Sequence, residues 1–122
     1  MLVALLAAAA ALAPVYGGRT DEGRRIVLTT SHRSVVRVDA AVERYECEQF
    51  GDIGPLRIHA RVQARIDGRG RFALTSGSRA ERVSVTGTVT SRGATGTLRV
   101  RGTIATGQRC ASPALRFSAR PR

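Results

Sequence analysis

The chain contains no lysine, no asparagine and no tryptophan, and its 122 residues include only three phenylalanines and two tyrosines. The shortage of aromatics excludes a core built on large rings, so valine, isoleucine, leucine and alanine must fill the interior. Each large aliphatic contributes about 1.5–3 kcal/mol when fully buried. A core this lean leaves little stability in reserve, which gives a covalent cross-link a clear use. Without lysine, arginine carries all of the strong positive charge: 20 basic residues face 9 acids, for a formal net charge of +11. Two origins compete. Guanidinium binds phosphate and carboxylate in a bidentate fork, and selection for that property is one. Codon usage in a GC-rich genome, where Arg and Ala rise and Lys and Asn fall, is the other, and the alanine-rich N-terminus favours it. Either way the charge draws the protein toward anionic surfaces. It also brings salt-dependent attraction to nucleic acid, but no specific nucleic-acid partner is expected.

Catalytic and metal-binding motifs are equally scarce. There are two histidines, His32 and His59, and no G-x-S-x-G elbow. A catalytic triad needs nucleophile, base and orienting acid within reach of one another. His59 lies between Arg57 and Arg61 on a polar strand face, a poor setting for a base, and His32 falls in a turn. Two His and two Cys lack usable zinc spacing. Five of the nine acids, Asp39, Glu43, Glu46, Glu48 and Asp52, crowd into one stretch without a calcium-loop pattern. They are expected to pair with arginines across strands. No catalytic residue, cofactor or metal is assigned, and the protein is not expected to be an enzyme.

The one long apolar run is Leu2–Ala13, ended by Pro14. Its length suits the apolar region of a signal peptide and is too short to span a bilayer. Val15-Tyr16-Gly17 supplies small residues for cleavage after Gly17, although no Lys or Arg precedes Leu2. Residues 1–17 are therefore expected to be an N-terminal signal helix and residues 18–24 a flexible start. Residues 25–120 are expected to form the folded domain. The mature chain should have no transmembrane span and should be secreted or attached to the cell envelope. In an oxidising compartment two cysteines in one small domain usually pair, so Cys47 and Cys110 are expected to form a disulfide.

From Arg25 onward the pattern has period two. Strands are expected at Arg25–Thr30, Val35–Glu48, Leu56–Ile66, Arg71–Thr75, Arg82–Thr90, Gly96–Ile104 and Leu115–Arg120. Asp67-Gly68-Arg69-Gly70 is a hairpin signal. In the second strand Val36, Val38, Ala40 and Val42 share one parity, whereas Tyr45 and Cys47 have the other. Since a one-residue slip reverses every side chain, a bulge or kink is expected between Ala41 and Arg44. Gly87, Gly96 and Gly102 should mark bends or close sheet contacts. The expected fold is all-β, a single antiparallel sandwich or barrel-like domain of about seven strands.

Gly96-Thr97-Leu98-Arg99-Val100, then Cys110, then the apolar-x-aromatic-x-Ala-Arg ending of Leu115–Arg120 resembles a group of small exported β-proteins of high-GC bacteria. The resemblance covers roughly Val27 to Arg120. It departs at Phe117, where members often carry Trp. It implies the fold class and a widely spaced Cys pair, and no site.

One surface feature remains. Arg57, Arg61 and Arg65 share one side of a strand, Arg99 and Arg101 share another, and Arg116 and Arg120 lie on the last. If these strands adjoin, they form an arginine plate able to contact anionic envelope polymer, lipid head groups or an acidic protein. It has none of the stacking aromatics of a nucleic-acid site. The expected function is non-catalytic binding or a structural surface role. One alternative is a small extracellular enzyme or inhibitor acting through Phe50–Pro55 or Thr106–Pro113. Another is a structural or assembly subunit of the cell surface. A concave pocket holding a histidine beside an acid would favour the first alternative, and an exposed apolar edge strand the second.

Overall fold

The computed structural model describes residues 11–122; the expected leader falls largely outside them. Eleven strands form: β1 (Val15–Thr20), β2 (Arg25–Ser31), β3 (Ser34–Val42), β4 (Glu46–Cys47), β5 (Gly51–Asp52), β6 (Leu56–Arg65), β7 (Arg71–Gly77), β8 (Arg82–Thr90), β9 (Gly93–Thr103), β10 (Arg109–Ala111) and β11 (Leu115–Pro121). All belong to one antiparallel sheet, and no helix is present among the described residues.

The main path runs β7-β8-β9-β11-β1-β2-β3-β6. It is an up-and-down order in which the first and last strands of the chain pair with each other. β6 and β7, the two ends of the path, follow one another in sequence yet share no ladder, so the sheet is not closed. With no second layer to cover it, the sheet's apolar face is buried by curling on itself. Its inward side chains form a single core. The expectation of a sandwich is thereby corrected: one open, rolled sheet replaces two facing ones.

Of the seven expected strands, Arg82–Thr90 forms at its expected limits, five form with shifted ends and the long second one divides into β3 and β4; β1, β5 and β10 are additional. β1 is the largest correction. Val15–Gly17 were expected to end a leader and Gly18–Arg24 to be flexible. Instead Val15–Thr20 is a strand in mid-sheet, paired with β2 and β11, and its Tyr16 is 0% exposed. Its parity was hidden because Gly17 and Gly18, at its centre, carry no side chain to mark a face. The expected long second strand ends at Val42. The chain then turns off through Glu43 and Arg44 and restarts as β4 beside β10. The parity conflict was therefore a strand break. The bulge lies earlier, where Thr29 and Thr30 face Arg37 and Val35 and leave Val36 over. The turn at Asp67–Gly70 forms, with the Asp67 carboxylate accepting from the Arg69 and Arg71 amides at 2.8 and 2.9 Å, but it joins strands that diverge.

Two of the in-strand glycines have a packing reason. Gly87 and Gly96 face each other across β8 and β9, flanked in the same row by Phe72 on β7 and Phe117 on β11. A Cβ on Gly87 would lie 3.2 Å from the Phe72 ring and one on Gly96 2.8 Å from the Phe117 ring. The two bare positions let the two rings cover the sheet in a core that has few rings to spend.

Candidate functional site

β9 is a forked strand. Along one edge its first half, Ala94–Leu98, pairs with β11, and its second half, Arg101–Thr103, pairs with β10. Ser112 sits in the fork. Its hydroxyl accepts the Val100 N–H at 2.9 Å and its own N–H donates to the Val100 carbonyl at 2.8 Å. Beyond the fork β10 carries β4, and β4 carries β5, so these three short strands form a flange on the side of the main sheet.

Strands of two or three residues have too few ladder bonds to stand alone, and the flange is secured by other means. Cys47 and Cys110 face each other in the β4–β10 pair and are joined by the disulfide, as expected. The buried Gln108 side chain accepts the amides of Gln49 and Phe50 at 2.8 and 3.1 Å. The Asp52 carboxylate accepts those of Tyr45 and Gly54 at 3.1 and 2.9 Å. These amides hold the Asp52 carboxyl below its usual range, the Gly54 bond most strongly. The Glu48 carboxylate takes both the Arg109 guanidinium and the Arg109 N–H, at 3.1 and 2.7 Å, and the guanidinium contact leads in lowering its pKa.

Between the flange and the outer face of β7–β9 runs an open groove of about 960 Å³. Its floor follows from the register. Gly77, Arg82, Arg101 and Ala111 form one row across four strands, and Thr75, Ser84 and Arg99 form the next. Arg79, from the β7–β8 turn, and Arg109 complete five arginines, joined by the hydroxyls of Thr75, Ser78, Ser84 and Thr103. On the flange wall the charges are already matched: Glu48 pairs with Arg109, and Glu46 with Arg44. Among the described residues Arg79, Arg82, Arg99 and Arg101 belong to no ion pair. Arg82 and Arg101 are direct cross-strand partners, an arrangement that costs stability when both are charged. Under the floor, at Gly102, lies the buried Tyr45 hydroxyl, 2.8 Å from where a Cβ would stand. Among the described residues it has no hydrogen-bond partner, and burial pushes its pKa up, with Glu81 adding to the effect.

The seven arginines of the expected plate separate. Arg99 and Arg101 lie in the groove. Arg116 stands opposite Thr97 and Arg120 opposite Gly17, both on the outer face of the central strands. Arg57, Arg61 and Arg65 lie on β6, at the far end of the sheet path. The free edge of β6 is thus charged rather than apolar, a setting that discourages edge-to-edge pairing. Arg79 and Arg82, the decisive additions, carried one sequence signal: Arg82 is out of phase with Val83 and Val85, so it faces outward.

A second cavity, of about 600 Å³, lies over the outer face of β2, β3 and β6. There Asp39 Oδ1 meets His59 Nδ1 at 2.7 Å and Asp39 Oδ2 meets the Arg37 guanidinium at 2.8 Å. The pair follows from register, Asp39 standing opposite His59. Among the described residues its lining has no Ser, Thr or Cys to serve as nucleophile. His32 occupies the β2–β3 turn, away from this acid. Among the described residues no group of three or more His, Cys, Asp or Glu is placed to hold a metal, and no helix is long and apolar enough to cross a membrane. Comparison of the chain with protein-family models, with curated proteins and with solved structures finds no match.

Proposed function

We propose that the protein is an exported, non-catalytic binding domain that holds a polyanion, an envelope polymer bearing phosphate or carboxylate groups, in the groove between the flange and β7–β9. The formed disulfide is consistent with an oxidising compartment. The observation that carries the reading is the unneutralised set Arg79, Arg82, Arg99 and Arg101. Two of these stand directly opposite each other, while nearby Arg44 and Arg109 have carboxylate partners. Guanidinium forks flanked by hydroxyls match the geometry of phosphate and carboxylate oxygens. An anion lying across Arg82 and Arg101 would relieve their repulsion.

The test is binding of polyphosphate and polyglutamate to the wild type and to a variant with all four arginines changed to Gln. Affinity should fall at least tenfold and its salt dependence should weaken. Changing Arg57, Arg61 and Arg65 to Gln should leave both nearly unchanged. Unaltered binding by the groove variant would sink the proposal.

The His59–Asp39 pair in its own cavity favours a second reading, a small hydrolase in which His59, oriented by Asp39, activates water. Turnover of ester or phosphodiester model substrates that disappears in His59→Gln would support it over the binding reading.

A further inference from the structure

β6 and β7 leave a slot in the rolled sheet. The Asp67 N–H donates to the Arg71 carbonyl at 2.9 Å, so the hairpin begins to zip at its turn. It then parts. Among the described residues β6 pairs with β3 alone and β7 with β8 alone, so each keeps one edge without a ladder partner. An opening of about 260 Å³ lies between Arg61–Ala64 and Ala73–Ser76. These are the segments that would face each other had the zipping continued. An edge with unpaired N–H and C=O groups is a template for another strand.

The slot is apolar on its inner side and basic on its outer side. Inward, Val62 and Leu74 line the opening. Leu74 is buried, but Val62, like Leu56 further along β6, is only partly covered by the core it packs against. Outward, Arg57, Arg61 and Arg65 are exposed at every fourth position, about 13 Å apart along the strand. Neither β6 nor β7 contains an Asp or a Glu. Among the described residues these three arginines belong to no ion pair.

We propose that the slot takes up an extended segment of a partner protein, one that alternates aliphatic and acidic side chains, as an added strand along β6. Main-chain hydrogen bonds to the free edge seat it. Its aliphatic side chains cover Val62 and Leu74, and its carboxylates stand beside the β6 arginines. The same arginines turn away a second copy of this chain, whose β6 would bring like charges side by side. A run of glutamate alone would put charge on the inner side and does not fit. The proposal is independent of what the groove binds.

The test is fluorescence anisotropy with a labelled eight-residue peptide that alternates Val and Glu, with its Val/Lys counterpart, and with the Val/Glu peptide N-methylated at every amide. The first should bind at least tenfold more tightly than either of the others, and its preference over the Lys peptide should weaken in 1 M salt. Amides along β6 should exchange more slowly in the complex. Arg57→Glu, Arg61→Glu and Arg65→Glu together should invert the preference between Glu and Lys peptides. Gln at the same three positions, a milder change, should abolish it. Changing Arg79, Arg82, Arg99 and Arg101 to Gln should leave it intact. Five results would each overturn the proposal: no binding, equal binding of the Glu and Lys peptides, binding that survives N-methylation, binding lost with the groove arginines, or a second copy of the chain pairing along β6 in sedimentation.

Discussion

Replacing Cys47 and Cys110 together by serine tests how the flange is held. The two residues are 63 positions apart. The chain-entropy relation for a loop of that length gives about 14 cal/mol/K, or about 4 kcal/mol at 25 °C, lost from the unfolded state when the link forms. With an unfolding entropy of about 2.1 cal/mol/K per residue, the described chain should lose about 15–20 °C in Tm. The loss should also be localised. β4 has two register partners on β10 and two on β5. Without the cross-link the amides of Glu48 and Ile53, which bond to the Arg109 and Tyr45 carbonyls, should exchange with solvent well before those of β8 and β9. The assay is urea unfolding of both proteins with hydrogen exchange followed by mass spectrometry. A stability loss below about 1 kcal/mol, with flange protection intact, would refute the reasoning and assign the flange to Gln108 and Asp52 alone.

Arg82→Gln should raise stability in the absence of ligand by up to about 1 kcal/mol, because like charges directly opposite across a ladder repel. The gain should vanish in 1 M salt and be accompanied by weaker stabilisation by polyphosphate, both read by thermal melts. His32 and Arg33 hold φ of 49° and 58° at the centre of a two-residue hairpin turn, a geometry that suits Asn-Gly. His32→Asn with Arg33→Gly should stabilise the protein by about 1–2 kcal/mol in urea unfolding, since each left-handed non-glycine residue costs about that much. Asp52 and Glu48 have folded pKa values below their unfolded ones. Their contribution is therefore full above the ordinary carboxylate range and lost as pH falls through the depressed folded values, below about pH 4. Asp52→Asn keeps an acceptor for the Tyr45 and Gly54 amides but not the charge, so its acid-unfolding slope should be shallower in a pH titration of stability.

Strands with clean alternation were legible in the order of residues alone. Leu56–Arg65, Arg82–Thr90 and Gly93–Thr103 all form near their expected limits, because a half-buried strand writes its period into the chain. β1 was not legible, since Gly17 and Gly18 interrupt its alternation and leave no parity to read. β4, β5 and β10 are too short to show a period. They exist because distant partners, Gln108 with the Phe50 turn and Cys47 with Cys110, hold them. The groove was half legible: Arg99 and Arg101 could be placed on one face, but strand order is set by pairing between distant segments. Only the pairings of β9 with β8 and β10 bring Arg82 opposite Arg101 and Arg109 opposite Thr103.

The pairing of β1 with β11 joins Tyr16 to Pro121, nearly the whole length of the chain. Tyr16, Leu28, Leu98 and Phe117 can close the core only when the last strand is available. Half-made chains then have a sheet open along the line where β1 and β11 will meet, as well as between β6 and β7. Such non-local closure slows folding, and it cannot be completed before the C-terminus is present. A polypeptide built this way keeps its central seam open until its last strand has been made.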